Sequence, residues 1–265
     1  MRSRILKAVF GIAGVTFLVI AFLEGWDRSQ GFPLAPWPRL VLAGGAALVA
    51  LRAGLLGWAA LLQVEPRLVG PGFYTSQLGK YVPGGVWQAV GQVGYATSDV
   101  ISAGRATVSF VAFAVTQAVS GAVVGALLAI APGEVPTWLR LVATTGLLAV
   151  IVVRREWLVA MVSWYTRRRD DETTPEELVP PQAAIFRAAA WGGVSLTAAG
   201  IGFTLTLPVE LTAVTVATAG LAFVLAWTVG FLALPVPAGV GVREAVLLAA
   251  LGAVAGASAI VAAAV

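Results

Sequence analysis

A chain of 265 residues that is 59% hydrophobic and 11% charged is not an ordinary globular domain, which carries about 25% charged residues. It contains no Cys and no His, which excludes disulfides, thiolate nucleophiles and imidazole bases and leaves neither a cofactor nor a metal site to expect. The net charge of +4 is no nucleic-acid signal, because the placement of the basic residues follows membrane sidedness.

The first apolar run, residues 5–23, follows Met1-Arg-Ser-Arg and is too long for a secretory signal, and Glu24-Gly-Trp-Asp-Arg after it is a poor small-residue cleavage site. It reads as a spanning helix, since about 20 residues cross a hydrocarbon core of about 30 Å. Residues 40–62, 106–131, 139–153, 184–207, 211–234 and 245–265 complete a set of about seven crossings, which makes the chain an all-α, polytopic membrane protein. With the N terminus in the cytoplasm, all of the 17 Lys and Arg residues fall on cytoplasmic segments except Arg28, Arg39, Arg140 and the intrahelical Arg52. That asymmetry predicts a plasma or inner membrane protein with a cytoplasmic N terminus.

Residues 63–105 are too apolar for a solvated loop and too glycine-rich for one straight helix. They read as a re-entrant pair, with 73–81 as one limb, Pro83-Gly84-Gly85 as the turn and 86–95 as the other limb. Gln77, Lys80, Gln88 and Gln92 are expected to face the protein interior. Broken backbone at membrane depth exposes polar groups that lipid cannot satisfy, so such a turn must be buried or line a wet cavity. The alternative is an amphipathic hairpin on the membrane surface, but surface helices are rich in Lys and Arg and these limbs hold only Lys80.

Farther along, Trp157, Met161 and Trp164 recur at helical spacing between Arg154-Arg155 and Arg167-Arg168-Arg169. This predicts an interfacial helix, apolar face in lipid and cations toward anionic headgroups. Residues 170–181 are acidic and proline-bearing and read as a soluble linker, dividing a single transmembrane domain over 1–265 into halves 1–169 and 182–265. Each half places two spans before a breaker, Val82-Pro-Gly-Gly-Val86 or Val236-Pro-Ala-Gly-Val240, and a long apolar helix after it. Parallel repeats about an axis along the membrane normal would give this order, as would chance in a chain rich in Ala, Val and Gly.

A cation in the middle of a span costs about 2.5–3.5 kcal/mol, so Arg52 requires compensation. The candidates are an ion pair with Glu244 or Asp99, snorkelling toward the cytoplasmic end, or a lipid phosphate. Lys80, Arg105 and Arg243 stand at breakers or helix ends, where charge and free N–H groups would hold an anion; ordinary positive-inside anchoring is the other reading. Glu244 is either the neutralising partner of Arg243 or a proton-coupled carboxylate. Gly79-Lys80 lacks the Ser/Thr and upstream glycine of a nucleotide loop, so no ATP-driven pump is expected. Gly121 and Gly125 predict close helix packing.

Three segments, Ser76-Gln-Leu-Gly-Lys80-Tyr-Val-Pro-Gly-Gly-Val-Trp-Gln88, Ser102-Ala-Gly-Arg-Ala106 and Pro237-Ala-Gly-Val-Gly-Val-Arg-Glu244, together resemble the lysylphosphatidylglycerol synthase transmembrane-region family, also described as flippase-like. The likeness runs through nearly the whole chain in order and spacing. It implies movement of a lipid between leaflets, either an aminoacylated phosphatidylglycerol or a polyprenyl-phosphate-linked sugar. The aminoacyl-transferase domain of the synthases has no counterpart here, so translocation or binding is implied and synthesis is not. Val111–Gln117 stands where the family often carries an acidic–basic pair, and the family commonly adds a helix beyond the position of Val265. A second copy or a partner membrane protein would supply that wall.

The leading expectation is therefore a non-enzymatic translocase for an anionic lipid. Arg52, Lys80, Arg105 and Arg243 would hold the phosphate, and Tyr81, Pro83, Gly84, Gly85, Trp87, Gln88, Pro237, Gly239 and Gly241 would form the groove. The alternative is a non-catalytic membrane subunit that docks a lipid-modifying transferase through residues 154–169.

Overall fold

The computed structural model describes residues 35–81, 87–97, 101–127, 155–166, 175–232 and 242–255, with isolated positions between 130 and 144. Among the described residues all regular structure is helical. Helix α1, Trp37–Leu62, starts on prolines, whose missing N–H groups reduce the number of orphan donors there. It ends where Gln63 turns left-handed (φ 56°) and its N–H reaches the Ala60 carbonyl at 3.3 Å, followed by Val64 N–H to the Ala59 carbonyl at 3.2 Å. Pro66 opens α2, Pro66–Gln77, which runs into a 3-10 turn, Leu78–Tyr81; α3 is Trp87–Ala96. Ser102 then caps α4, Ala103–Ala126, its Oγ accepting from Arg105 N–H at 3.2 Å.

The remaining elements are α5 (Arg155–Thr166), the short α6 (Pro175–Leu178), α7 (Gln182–Thr206), α8 (Ala213–Leu232) and α9 (Val242–Ala255). Four of them, α1, α4, α7 and α8, are long and apolar enough to cross a membrane. Of the other predicted crossings, 5–23 and most of 139–153 lie outside the described residues, and α9 covers 245–265 only as far as Ala255.

α7 is the central helix, packed against α1, α4 and α8. Its contact with α1 steps seven residues at a time in opposite directions along the two chains. A Cβ on Gly57 would lie 3.3 Å from the Ala188 carbonyl, Ser195 Oγ donates to the Ala50 carbonyl at 2.8 Å, and a Cβ on Gly202 would lie 3.4 Å from the Ala43 carbonyl. A seven-residue step is the signature of left-handed antiparallel packing. Small residues carry it because lipid tails are as apolar as Leu, leaving close contact and interhelical hydrogen bonds to hold spans together.

Elsewhere the same chemistry recurs. A Cβ on Gly200 would fall 2.6 Å from the Gly220 carbonyl, joining α7 to α8 backbone against backbone. Gly121 and Gly125 of α4 seat Thr228 and Leu225 of α8, the close packing expected of that pair. Ser120 Oγ donates to the Ala189 carbonyl of α7 at 2.7 Å, and Gln117 Oε1 rests against Gly192. These contacts bring Leu62, Ser102, Gln182 and Leu232 to one end of the bundle and Trp37, Ala126, Thr206 and Ala213 to the other. Arg39 Nη1 closes the latter end by donating to the Val209 carbonyl at 2.7 Å.

Two expectations are corrected. The linker 170–181 is not wholly solvated: Val179 is buried and Leu178 packs beside Gly104, because two adjacent apolar residues are better covered by α4 and α5 than left in water. Helix α5 has two apolar faces rather than one. Trp157 (62% exposed) and Met161 point outward as the interfacial reading requires, while Leu158 and Val162 are buried in the core. Arg155 N–H donates to Gln182 Oε1 at 2.7 Å and fixes α5 to the start of α7. That core also takes in Trp58, Phe73, Phe113, Ile185 and Ala188, so segments on both sides of the linker share it.

Candidate hairpin and cation site

The sequence between α1 and α4 folds as a helical hairpin. Glycines set its tight spacing: Gly72 lies against Tyr95, a Cβ on Gly91 would be 3.2 Å from Ser76 Cβ, and one on Gly79 would be 2.8 Å from Gln88 N and 2.9 Å from the Trp87 carbonyl carbon. These pairs run in opposite directions, so the limbs are antiparallel. At 1.5 Å per residue α3 is about 15 Å long, half of a hydrocarbon core.

Both limbs join the same end of the bundle, since α2 follows Leu62 and α3 leads to Ser102. Arg105 Nη2 donates to the Leu62 carbonyl at 3.1 Å and ties the two attachment points together. From there α2 carries Phe73 to Gly54, where a Cβ would lie 3.2 Å from the Phe73 ring, and to Phe113, with ring centroids 6.1 Å apart. Gly54 is eight residues before Leu62, or about 12 Å up α1.

The hairpin contains several of the expected site residues. Lys80 and Tyr81 lie in the 3-10 turn and Trp87 and Gln88 open α3. Gln88 Nε2 donates to Gln77 Oε1 at 3.3 Å across the limbs, and Gln92 is fully buried. Pro83, Gly84 and Gly85, together with Asp99, Pro237, Gly239 and Gly241, lie outside the described residues.

Of the expected cations, Arg52, Arg105 and Arg243 are not gathered at one point. Arg105 serves as a clamp on the C-terminal carbonyl of α1, the favourable position for a cation at a helix end and a form of the anchoring reading. Arg243 lies against its neighbour Glu244, Nη2 to Oε1 at 3.5 Å with side chains 23% and 16% exposed, a contact a neutralising partner would make. Their helix, α9, packs on α8, whereas the hairpin packs on α1 and α4. The hairpin and α9 therefore lie against different helices.

Arg52 is exposed, on the side of α1 that also exposes Leu48 and Val49 and away from the α7 seam. The ion pair with Glu244 is not formed, and among the described residues no carboxylate pairs with Arg52. It sits ten residues before Leu62, about 15 Å from that end.

Sequence reasoning gave Gly79 no structural role, setting it against a nucleotide loop and within the resemblance segment. Its signal was its place between two limbs of a turn rich in Gly and Pro, where a backbone contact is the usual reason for glycine. No protein-family model matches the chain, and no curated protein matches it.

Proposed function

We propose that this protein binds anionic lipids and moves them between leaflets without ATP hydrolysis. One observation carries the reading: a permanent cation in the middle of an apolar spanning helix, exposed at its surface, with no carboxylate partner among the described residues. Charges in spans almost always face a bundle interior or a cavity and pair with an opposite charge. A lipid phosphate is the anion available at that surface, and its contact with a guanidinium is charge-assisted and bidentate.

The hairpin supports the same reading. Two limbs that leave and rejoin one end of the bundle, the shorter about half a core long, suit a re-entrant segment that opens a polar path into the bilayer while acyl tails stay in lipid. The motif resemblance to the lysylphosphatidylglycerol synthase transmembrane region points to the same class of substrate. In vesicles, fluorescently labelled phosphatidylglycerol should exchange leaflets faster with the purified protein than without it, and addition of ATP should not change the rate. An exchange rate equal to that of protein-free vesicles would sink the proposal.

Orientation is tested separately, on a background with no native cysteine. Glu65→Cys and Thr97→Cys, exposed at the two bases of the hairpin, should both label from the cytoplasm, and Glu210→Cys from the opposite side. Labelling of Glu65→Cys and Thr97→Cys from opposite faces would make the hairpin a spanning segment.

A further inference from the structure

We infer that Gln92, with Gln88 and Gln77, forms a subsite for the uncharged, hydroxyl-bearing part of a lipid headgroup, in the seam between the hairpin and α4. Gln92 is 1% exposed, and among the described residues neither its Oε1 nor its Nε2 has a hydrogen-bond partner. A buried carboxamide left unsatisfied costs about 1–3 kcal/mol, and an apolar side chain of similar size would avoid that cost. Such a group calls for a partner from outside the protein.

The surroundings agree. Gln88 lies one helical turn before Gln92 on the same face of α3 and bonds Gln77 across the limbs. On α4, Ser109 is fully buried and its Oγ has no partner. Hydroxyls on these helices ordinarily bond the carbonyl four residues back, as Thr107 and Ser120 do, so Ser109 departs from the local rule. Ser109 is one turn from Phe113, whose ring meets Phe73 of the hairpin, so it shares the face that the hairpin covers.

The chemistry selects the ligand class. Carboxamides and hydroxyls offer both donors and acceptors, and so do the hydroxyls of a polyol or sugar. A fully ionised phosphate only accepts, and would leave Gln92 Oε1 unsatisfied. The backbone of Gly79 abuts that of Gln88, so the row of carboxamides begins at the close end of the two limbs. Gln92 is sealed in this structure, and binding requires the packing around α3 to open.

The inference rests on the headgroup entering at the hairpin, and the experiment separates the two ideas. Binding of phosphatidylinositol and of phosphatidic acid, with matched acyl chains, is measured on the purified full chain. The wild type should prefer the inositol lipid by about three- to tenfold, the worth of a neutral hydrogen bond. Gln92→Met should remove that preference and leave phosphatidic acid binding unchanged; Gln88→Leu is the second variant should Gln92→Met fail to fold. Equal binding of both lipids by the wild type would overturn the subsite and leave the phosphate reading standing. A preference that survives in the folded variant would also overturn it, as would an amide that holds only water. That last case predicts equal lipid affinities and a Gln92→Met protein more stable than the wild type. Binding of neither lipid would remove the proposed function, and the subsite with it.

Discussion

Gly79→Ala should prevent the hairpin from closing. The added Cβ would meet Gln88 N at 2.8 Å and the Trp87 carbonyl carbon at 2.9 Å, and backbone atoms cannot rotate away as a side chain can. Overpacking against yielding side chains costs about 1–3 kcal/mol, so a backbone clash belongs at or above the upper figure, about a hundredfold in the closed population. Gly94→Ala is the matched control: it lies in the same helix-hairpin with no neighbouring atom within 4 Å of its Cβ position. There the exchange should be neutral or stabilise α3 by up to about 1 kcal/mol, because alanine is the better helix former. Thermal melting and amide hydrogen exchange over residues 72–95 report both. Equal stability of the two variants would show that Gly79 does not set the hairpin.

Arg52→Gln should leave the protein at least as stable as the wild type while weakening its hold on anionic lipid. With no carboxylate paired to Arg52 among the described residues, neutralising it strands none of them and removes an insertion cost of about 2.5–3.5 kcal/mol. Loss of a charge-assisted hydrogen bond to phosphate is worth about 1.5–3 kcal/mol, or about ten- to a hundredfold in affinity for phosphatidic acid. Adding Glu244→Gln should rescue nothing, since Glu244 already pairs with Arg243. A loss of folding in Arg52→Gln that Glu244→Gln restores, with lipid binding intact, would return Arg52 to a structural ion pair.

Some local features were legible before any packing was known. The Gly- and Pro-rich stretch between the first two described spans folds as two antiparallel limbs, and Gly121 and Gly125 pack closely against α8. Each follows from backbone chemistry confined to a few neighbouring residues. Helix α5 was half legible: the Trp157 and Met161 stripe marks its outward face, but Leu158 and Val162 continue the apolar character around the helix and hide the face that docks.

By itself the sequence determined the class of protein, its helical content and the ends of several helices, because transfer free energy and local propensity are sums over residues close in the chain. Tertiary structure alone decided which faces meet. In water an apolar stripe points inward, but a spanning helix is apolar toward lipid and toward protein alike, so hydrophobic periodicity cannot tell one side from the other. Hence the seven-residue seam of Gly57, Ala50 and Ala43 against α7, the outward position of Arg52, the backbone contact at Gly79 and the sealed carboxamide of Gln92 emerged only from helices packed at close range. Their specificity comes from small residues and hydrogen bonds between segments distant in the chain, which no local pattern encodes.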